Sequence, residues 1–381
     1  MKQTLLILAA VVFLFACKKE EDPTLFGYSS EIDVGFFNSS YLMLADGNIL
    51  ISTATTNKLT LLKITPTCIK VWTKQFFIDG TPNGLRLSSM LEDNGGWLYL
   101  FGTVPSNSTS DAFLFKLNSK GDSLWWNNYP NSQFNSGKVI VKSTDGNLVL
   151  AGMRANYYTN KGEFCLAKAD TMGTVLWHKI YERDCLPELI DMISTSDGGY
   201  LLTGISQIPG LGFEGQYCVK VNSDGQKMWD KIYPASYVSH LKTLEASNGD
   251  IITTGRFREN GTDQIWLLKT DMNGNEKWKK TFGKAFNDEF VYSIIENDNG
   301  NLLVVGGVSS FNTDTVQAMT FVASPDGDSI RTKYFGAKDN AFALKVFKLN
   351  NTTNLLFGRM FTNGVTKIFT NHIDANGNFI P

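Results

Sequence analysis

The sequence predicts an all-β chain folded as a seven-bladed β-propeller of four-stranded antiparallel blades. Three observations carry this reading. First, a glycine turn followed by an apolar run returns with its glycine at Gly47, Gly96, Gly146, Gly198, Gly249 and Gly300, a spacing of about 50 residues. Second, five of the six turns are followed by an apolar run ending in lysine, and in four copies then by a glycine four residues before a tryptophan. Third, the composition is 12% aromatic and only 19% charged, with 34 glycines, which suits strands and turns better than long polar helices.

The N-terminus reads first. After Lys2, residues 5–16 form an unbroken apolar run, about half of the ~20 residues a bilayer-crossing helix needs. Its length and charged flank are those of a signal peptide, assigned to residues 1–16. The run ends at Leu14-Phe15-Ala16-Cys17, which resembles the lipobox of bacterial lipoproteins. That resemblance implies that Cys17 begins the mature chain and carries lipid, palmitate included. One acyl chain at about 0.8 kcal/mol per methylene holds only reversibly, whereas two or more anchor stably. Cys17-Lys18-Lys19-Glu20-Glu21-Asp22 resembles the export signal of Bacteroidota surface lipoproteins. It implies an outer-membrane protein facing the cell surface, with the periplasmic leaflet as the alternative. Residues 17–23 are then a lipidated tether, and 24–381 the propeller.

Within the propeller, Asp46-Gly47-Asn48, Asp145-Gly146-Asn147, Asp197-Gly198-Gly199 and Asn299-Gly300-Asn301 separate apolar runs. They read as hairpin turns of type I′, which need positive φ at both central residues. The lysine-ending runs place Lys63, Lys116, Lys168, Lys220 and Lys269 at one repeated position. Gly121, Gly173, Gly225 and Gly274 each precede a tryptophan by four residues. Cys68 stands where glycine would precede Trp72, and the sixth copy has Arg331 in place of its tryptophan. A four-stranded blade cannot bury both faces alone, but a ring of blades can. The seventh copy lacks a fourth strand, and Thr24-Leu25-Phe26-Gly27 resembles the fourth-strand ends Thr281-Phe282-Gly283 and Tyr334-Phe335-Gly336. The N-terminal strand is therefore expected to complete the last blade.

The strand–glycine–x₃–Trp element resembles the tryptophan-docking motif of quinoprotein-type propellers. The resemblance implies that Trp72, Trp125, Trp177, Trp229 and Trp278 staple neighbouring blades. That family includes quinone-dependent dehydrogenases and an outer-membrane assembly lipoprotein that binds partners.

Chemistry is harder to find. Beyond Cys17, the cysteines Cys68, Cys165, Cys185 and Cys218 form no C-x-x-C pair, and His178, His240 and His372 are far apart, so no metal site is expected. Cys165 and Cys218 lie in equivalent strands of adjacent blades, beyond the ~7 Å reach of a disulfide. A net charge of -2 offers no basic field for nucleic acid. No cofactor motif is present. Asp184, Glu188, Asp191, Asp288 and Glu289 fall between blades and read as solvated loop acids. Asp122-Ser123-Leu124, Asp170-Thr171-Met172, Asp314-Thr315-Val316 and Asp328-Ser329-Ile330 resemble the short O-glycosylation sequon of Bacteroidota.

Long connections between second and third strands, such as 154–163, 206–215, 256–263 and 309–315, share one face of the ring with the inter-blade loops. Function concentrates on such loops over a rigid scaffold. Arg154, Tyr157, Tyr158, Phe213, Arg256, Arg258, Phe286, Phe311 and Arg359 are the candidate contacts there, being aromatic or arginine. Three of them, Arg154, Arg256 and Arg359, follow a glycine read as the end of the second strand. These readings add up to a non-enzymatic module binding a protein or glycan. The alternatives are a periplasm-facing assembly scaffold, or a quinone-dependent or carbohydrate-active propeller enzyme.

Overall fold

A computed structural model describes residues 40–380 apart from 55–57, 78–84, 106–109, 130–133, 157–160, 184–186, 209–211, 260, 285–286, 311–314, 337–339 and 363–364. It is the expected propeller: six four-stranded sheets and one three-stranded sheet, each with its strands in sequence order and antiparallel. The blades span residues 40–77, 86–129, 136–183, 188–234, 238–282, 287–335 and 342–373. The first strands of successive blades touch one another, so they surround the central channel, and the fourth strands form the rim.

The ring closes between the seventh and first blades. Tyr41 packs on Phe357 with ring centroids 4.8 Å apart, and Cys68 Sγ lies 3.5 Å from Thr370 Oγ1. One apolar cluster spans this seam, with Ile49, Ile51, Leu355 and Phe357 in it. The N-terminal strand expected to complete the seventh blade, the lipidated Cys17 and the tether all lie outside the described residues.

The hairpin turns differ from expectation in type. Gly47 N–H donates to Leu44 O and Leu44 N–H to Asn48 O, with a single left-handed residue, Gly47, at φ +78°. The same pattern recurs at Gly146, Gly198 and Gly249. This is a type I turn followed by one left-handed glycine, the usual three-residue hairpin loop. Aspartate suits it because its carboxylate accepts the N–H two residues on, as Asp46 Oδ1 does from Asn48 at 3.0 Å.

The repeated residues build the blade interfaces. Trp72, Trp125, Trp177, Trp229 and Trp278 each lie on the left-handed turn glycine of the next blade: Gly121, Gly173, Gly225, Gly274 and Gly327. A Cβ there would come within about 3 Å of the indole, so only glycine lets the ring seat. Arg331, in the tryptophan's place, instead donates to Asn378 Oδ1 of the seventh blade at 2.8 Å. The strand-ending lysines turn inward to the first turn of their own blade: Lys168 to Asp145 at 2.6 Å, Lys220 to Asp197 at 2.7 Å, and Lys63 to Asp46 at 2.5 Å. Cys68, Cys165 and Cys218 are buried free thiols; burial pushes Cys165 up to about 12 and Cys218 to about 11.

Candidate active site at the channel mouth

The channel lining begins with a backbone device. In six blades, the glycine of the second strand is not the strand's end but a point inside it. A Cβ at Gly102, Gly152, Gly204, Gly306 or Gly358 would fall 1.7–2.3 Å from an inner-strand carbonyl. Each of these glycines faces a one-residue bulge of the inner strand. A bulge twists a strand and re-aims its side chains. The strands then continue past the glycine. Arg154 pairs with Glu163, and Arg258 with Asp263, across the ladder. The supposed long loops are therefore mostly hairpin arms, because nothing interrupts pairing beyond the glycine.

The fifth blade breaks the rule. Opposite the glycine, the other blades place Leu87, Gly137, Leu189, Val291 and Ala343. The fifth has no such pair at Gly255; Ser239 and Lys242 flank it, with His240 between. His240 adopts φ +53°, which costs a non-glycine residue about 1–2 kcal/mol. The flip sends Leu241 into the core and leaves His240 solvent-accessible at the channel mouth. Strain of this kind collects at functional sites.

Around His240 the charges converge. Its electrostatic neighbours are Arg256, Lys242, Glu188 and Asp263. The surrounding wall of protein, then Arg256 and Lys242, depress its pKa, so the ring is a neutral base at neutral pH. Its Nδ1 lies 3.1 Å from Ser239 Oγ. From the sixth blade's bulge comes Tyr292, whose neighbours are Arg359 and Arg256. Burial raises its pKa against the pull of both arginines, so it keeps its proton. Arg256 thus stands in the field of both groups. It is paired with the buried Asp263 and lies over the Phe290 ring at 5.5 Å. Arg359 lies over Phe342 at 5.1 Å. Lys138 meets Glu188 at 3.3 Å on the neighbouring side of the mouth.

The expected contact residues divide. Arg256 and Arg359 are at the mouth. Arg154 is held against Glu163, and Arg258 lies 3.7 Å from Asp263 and exposed. Phe213 packs edge-on against Tyr237, 4.5 Å away, rather than standing free. Tyr157, Tyr158, Phe286 and Phe311 lie outside the described residues. The acids read as loop residues are corrected too: Glu188 and Asp191 lie on the inner strand Glu188–Ser194, and Asp288 and Glu289 on Asn287–Glu296. Each inner strand starts earlier than its apolar pattern, because its first residues pair while facing the channel. Asp184 is outside the described residues. His240, Tyr292, Lys242 and Lys345 were not singled out by sequence.

No family model and no curated protein matches the chain. Among solved structures, a polysaccharide lyase superposes with a TM-score of 0.57 over 92% of this chain and 92% of the lyase, at 11% identity. An α-L-arabinofuranosidase from Fusarium graminearum gives 0.47 at 9% identity, over 76% of this chain and 92% of its own. A Synechocystis apocarotenoid oxygenase gives 0.48 at 13%, over 84% and 81%. At such identity the first likeness establishes the propeller fold, and the other two add no argument. The expectation of a non-enzymatic module is nevertheless corrected. The propeller that superposes at a TM-score of 0.57 is an enzyme, and the mouth draws a neutral imidazole, a protonated phenol and cations from the fourth to seventh blades.

Proposed function

We propose that the chain is a propeller enzyme that cleaves an acidic polysaccharide by β-elimination at the channel mouth. The observation that carries this is the pairing of a neutral, backbone-strained His240 with a protonated Tyr292 around Arg256. Two titratable groups held in opposite states are the mark of a base and an acid. In the reaction, an arginine neutralises the uronate carboxylate, which acidifies the adjacent C–H. His240 takes that proton, the C4–O bond breaks as the C4–C5 double bond forms, and Tyr292 gives its proton to the departing oxygen. Arg256 and Arg359 are the neutralising groups, since a guanidinium matches a carboxylate in two hydrogen bonds. The polysaccharide lyase named above supports the choice of polymer.

The test is incubation of the purified chain with a panel of uronate polymers, including polygalacturonate, alginate and glycosaminoglycans. Ultraviolet absorbance from new unsaturated ends is the expected result. New reducing ends without that absorbance would replace elimination with hydrolysis by Glu188 and Asp191, and neither signal across the panel would sink the proposal.

The export reading places this enzyme on the outer membrane through lipid on Cys17. A Cys17→Ala chain is expected in the soluble fraction and unlabelled by palmitate; continued membrane association would refute the anchor.

A further inference from the structure

Below the mouth lies a layer of channel residues that elimination does not use. Each sits one residue beyond its bulge: Ser89, Val139, Asp191, Lys242, Ser293 and Lys345 oppose Phe101, Ala151, Thr203, Thr254, Val305 and Phe357. Equal register in a ring of blades means equal depth. Lys345 on the seventh blade has Lys242 and Asp191, on the fifth and fourth, as its electrostatic neighbours. None of these blades adjoins the seventh, so the groups meet across the channel itself.

The charges in this layer do not cancel. Asp191 is already engaged: Oδ2 accepts the Thr243 N–H at 2.8 Å, and Oδ1 lies 4.0 Å from Lys242 Nζ. Ser293 Oγ likewise accepts the Val346 N–H, at 3.4 Å. Both side chains cap the free inner edge of the next blade. Lys345 has no hydrogen-bond or ion-pair partner among the described residues. Two lysines against one occupied aspartate leave one positive charge at this level of the channel, on half-buried side chains. An anion placed between them would gain from both charges. Burial, with Lys242 facing it, depresses the Lys345 pKa, as expected of an ammonium awaiting a counter-charge.

We propose that Lys242 and Lys345 form an oxyanion site in the channel. Its ligand is a singly or doubly charged tetrahedral or planar oxyanion: inorganic phosphate or sulfate, or a sulfate or carboxylate carried on a polymer entering from the mouth. The lysines supply point charges that suit either geometry. The site does not depend on the elimination chemistry above, and its binding is measured without cleavage.

The experiment is isothermal titration of the full chain at low ionic strength, first with inorganic phosphate and sulfate, then with a sulfated oligosaccharide. The variants are Lys345→Met, Lys242→Met and, on the rim, Lys74→Met. Thermal melting establishes that each is folded. Saturable phosphate binding that weakens about tenfold or more in both channel variants, but not in Lys74→Met, is expected. If only the oligosaccharide binds with that dependence, the site holds and its source is the polymer. Binding of neither anion class, or binding equal in Lys345→Met and the parent chain, would overturn the site.

Discussion

The rim of the ring and its channel are made from the same repeat but obey different rules. At the rim the first five blades do the same thing, a tryptophan seating on the next blade's glycine, and lysines such as Lys168 and Lys220 reach their own blade's turn aspartate. At the inner-strand bulges no two blades agree. The bulged residues are Ser88, Lys138, Ile190, Tyr292 and Leu344 in the second, third, fourth, sixth and seventh blades, and His240 with Leu241 in the fifth. Repetition serves interfaces that must match all around a ring. Asymmetry serves a single site, which needs one base, one acid and a directional field. The difference teaches where each kind of residue is accountable: the rim for stability, the channel for chemistry.

The sharpest break of this comparison is at Tyr292. Tyr292→Phe keeps the ring and removes the proton, so turnover on a uronate polymer should fall by about 10²–10⁴-fold with an unchanged melting curve. Comparable loss at a rim tryptophan without unfolding would blur the distinction. The pH profile sharpens it further. Because His240 is depressed below its ordinary 6.5, the acid limb of kcat/KM should lie under that pH. An acid limb above it would remove His240 as the base.

Next in size are the bulge glycines. A Cβ at Gly306 would sit 1.7 Å from Phe290 O, so Gly306→Ala should cost at least ~3 kcal/mol in urea denaturation. At the turn between the first and second strands, Gly198 has open space but φ +80°, and Gly198→Ala should cost only about 1–2 kcal/mol.

Glu289 gives a pH-dependent test of similar scale. It is buried, Oε2 has no hydrogen-bond partner, and burial, with Asp288 nearby, pushes it from 4.5 up to about 7. A carboxyl raised in the folded state contributes stability that is full below about pH 4.5 and is lost as pH rises through about 7. Glu289→Gln should therefore stabilise the chain above pH 7, by at most on the order of 3 kcal/mol, and do little at pH 4. Equal melting of both chains at high pH would contradict this. The smallest effect belongs to Lys220→Met. It removes the ion-pair partner of the half-exposed Asp197, which keeps its hydrogen bonds from Thr195 Oγ1 and the Gly199 N–H, and should cost about 1 kcal/mol with turnover intact.

The rim was legible because its residues recur. Six copies of a turn, five lysines and five tryptophans announce a blade by their period alone. The turn type was misread because Asp-Gly suits both turn classes, and only the hydrogen bonds distinguish them. The site was not legible because its residues are drawn from the fourth to seventh blades, and His240 and Tyr292 each occur once at their position in the repeat. Gly255 held the missed signal. Aligning the six second-strand glycines brings Leu87, Gly137, Leu189, Val291 and Ala343 into register, and His240 then stands out as the polar residue in that column. Arg256 and Arg359 were found for the right residue type but placed on loops, because the glycine before each was read as a strand end.

The most direct test of the whole account pairs two readings on one variant, His240→Ala. Its melting temperature and its production of unsaturated ends from the best uronate polymer are measured together. Near-unchanged melting is predicted, since alanine keeps the same Cβ at φ +53° and the position is solvent-accessible, together with loss of nearly all turnover. Retained turnover in a folded His240→Ala chain would contradict it.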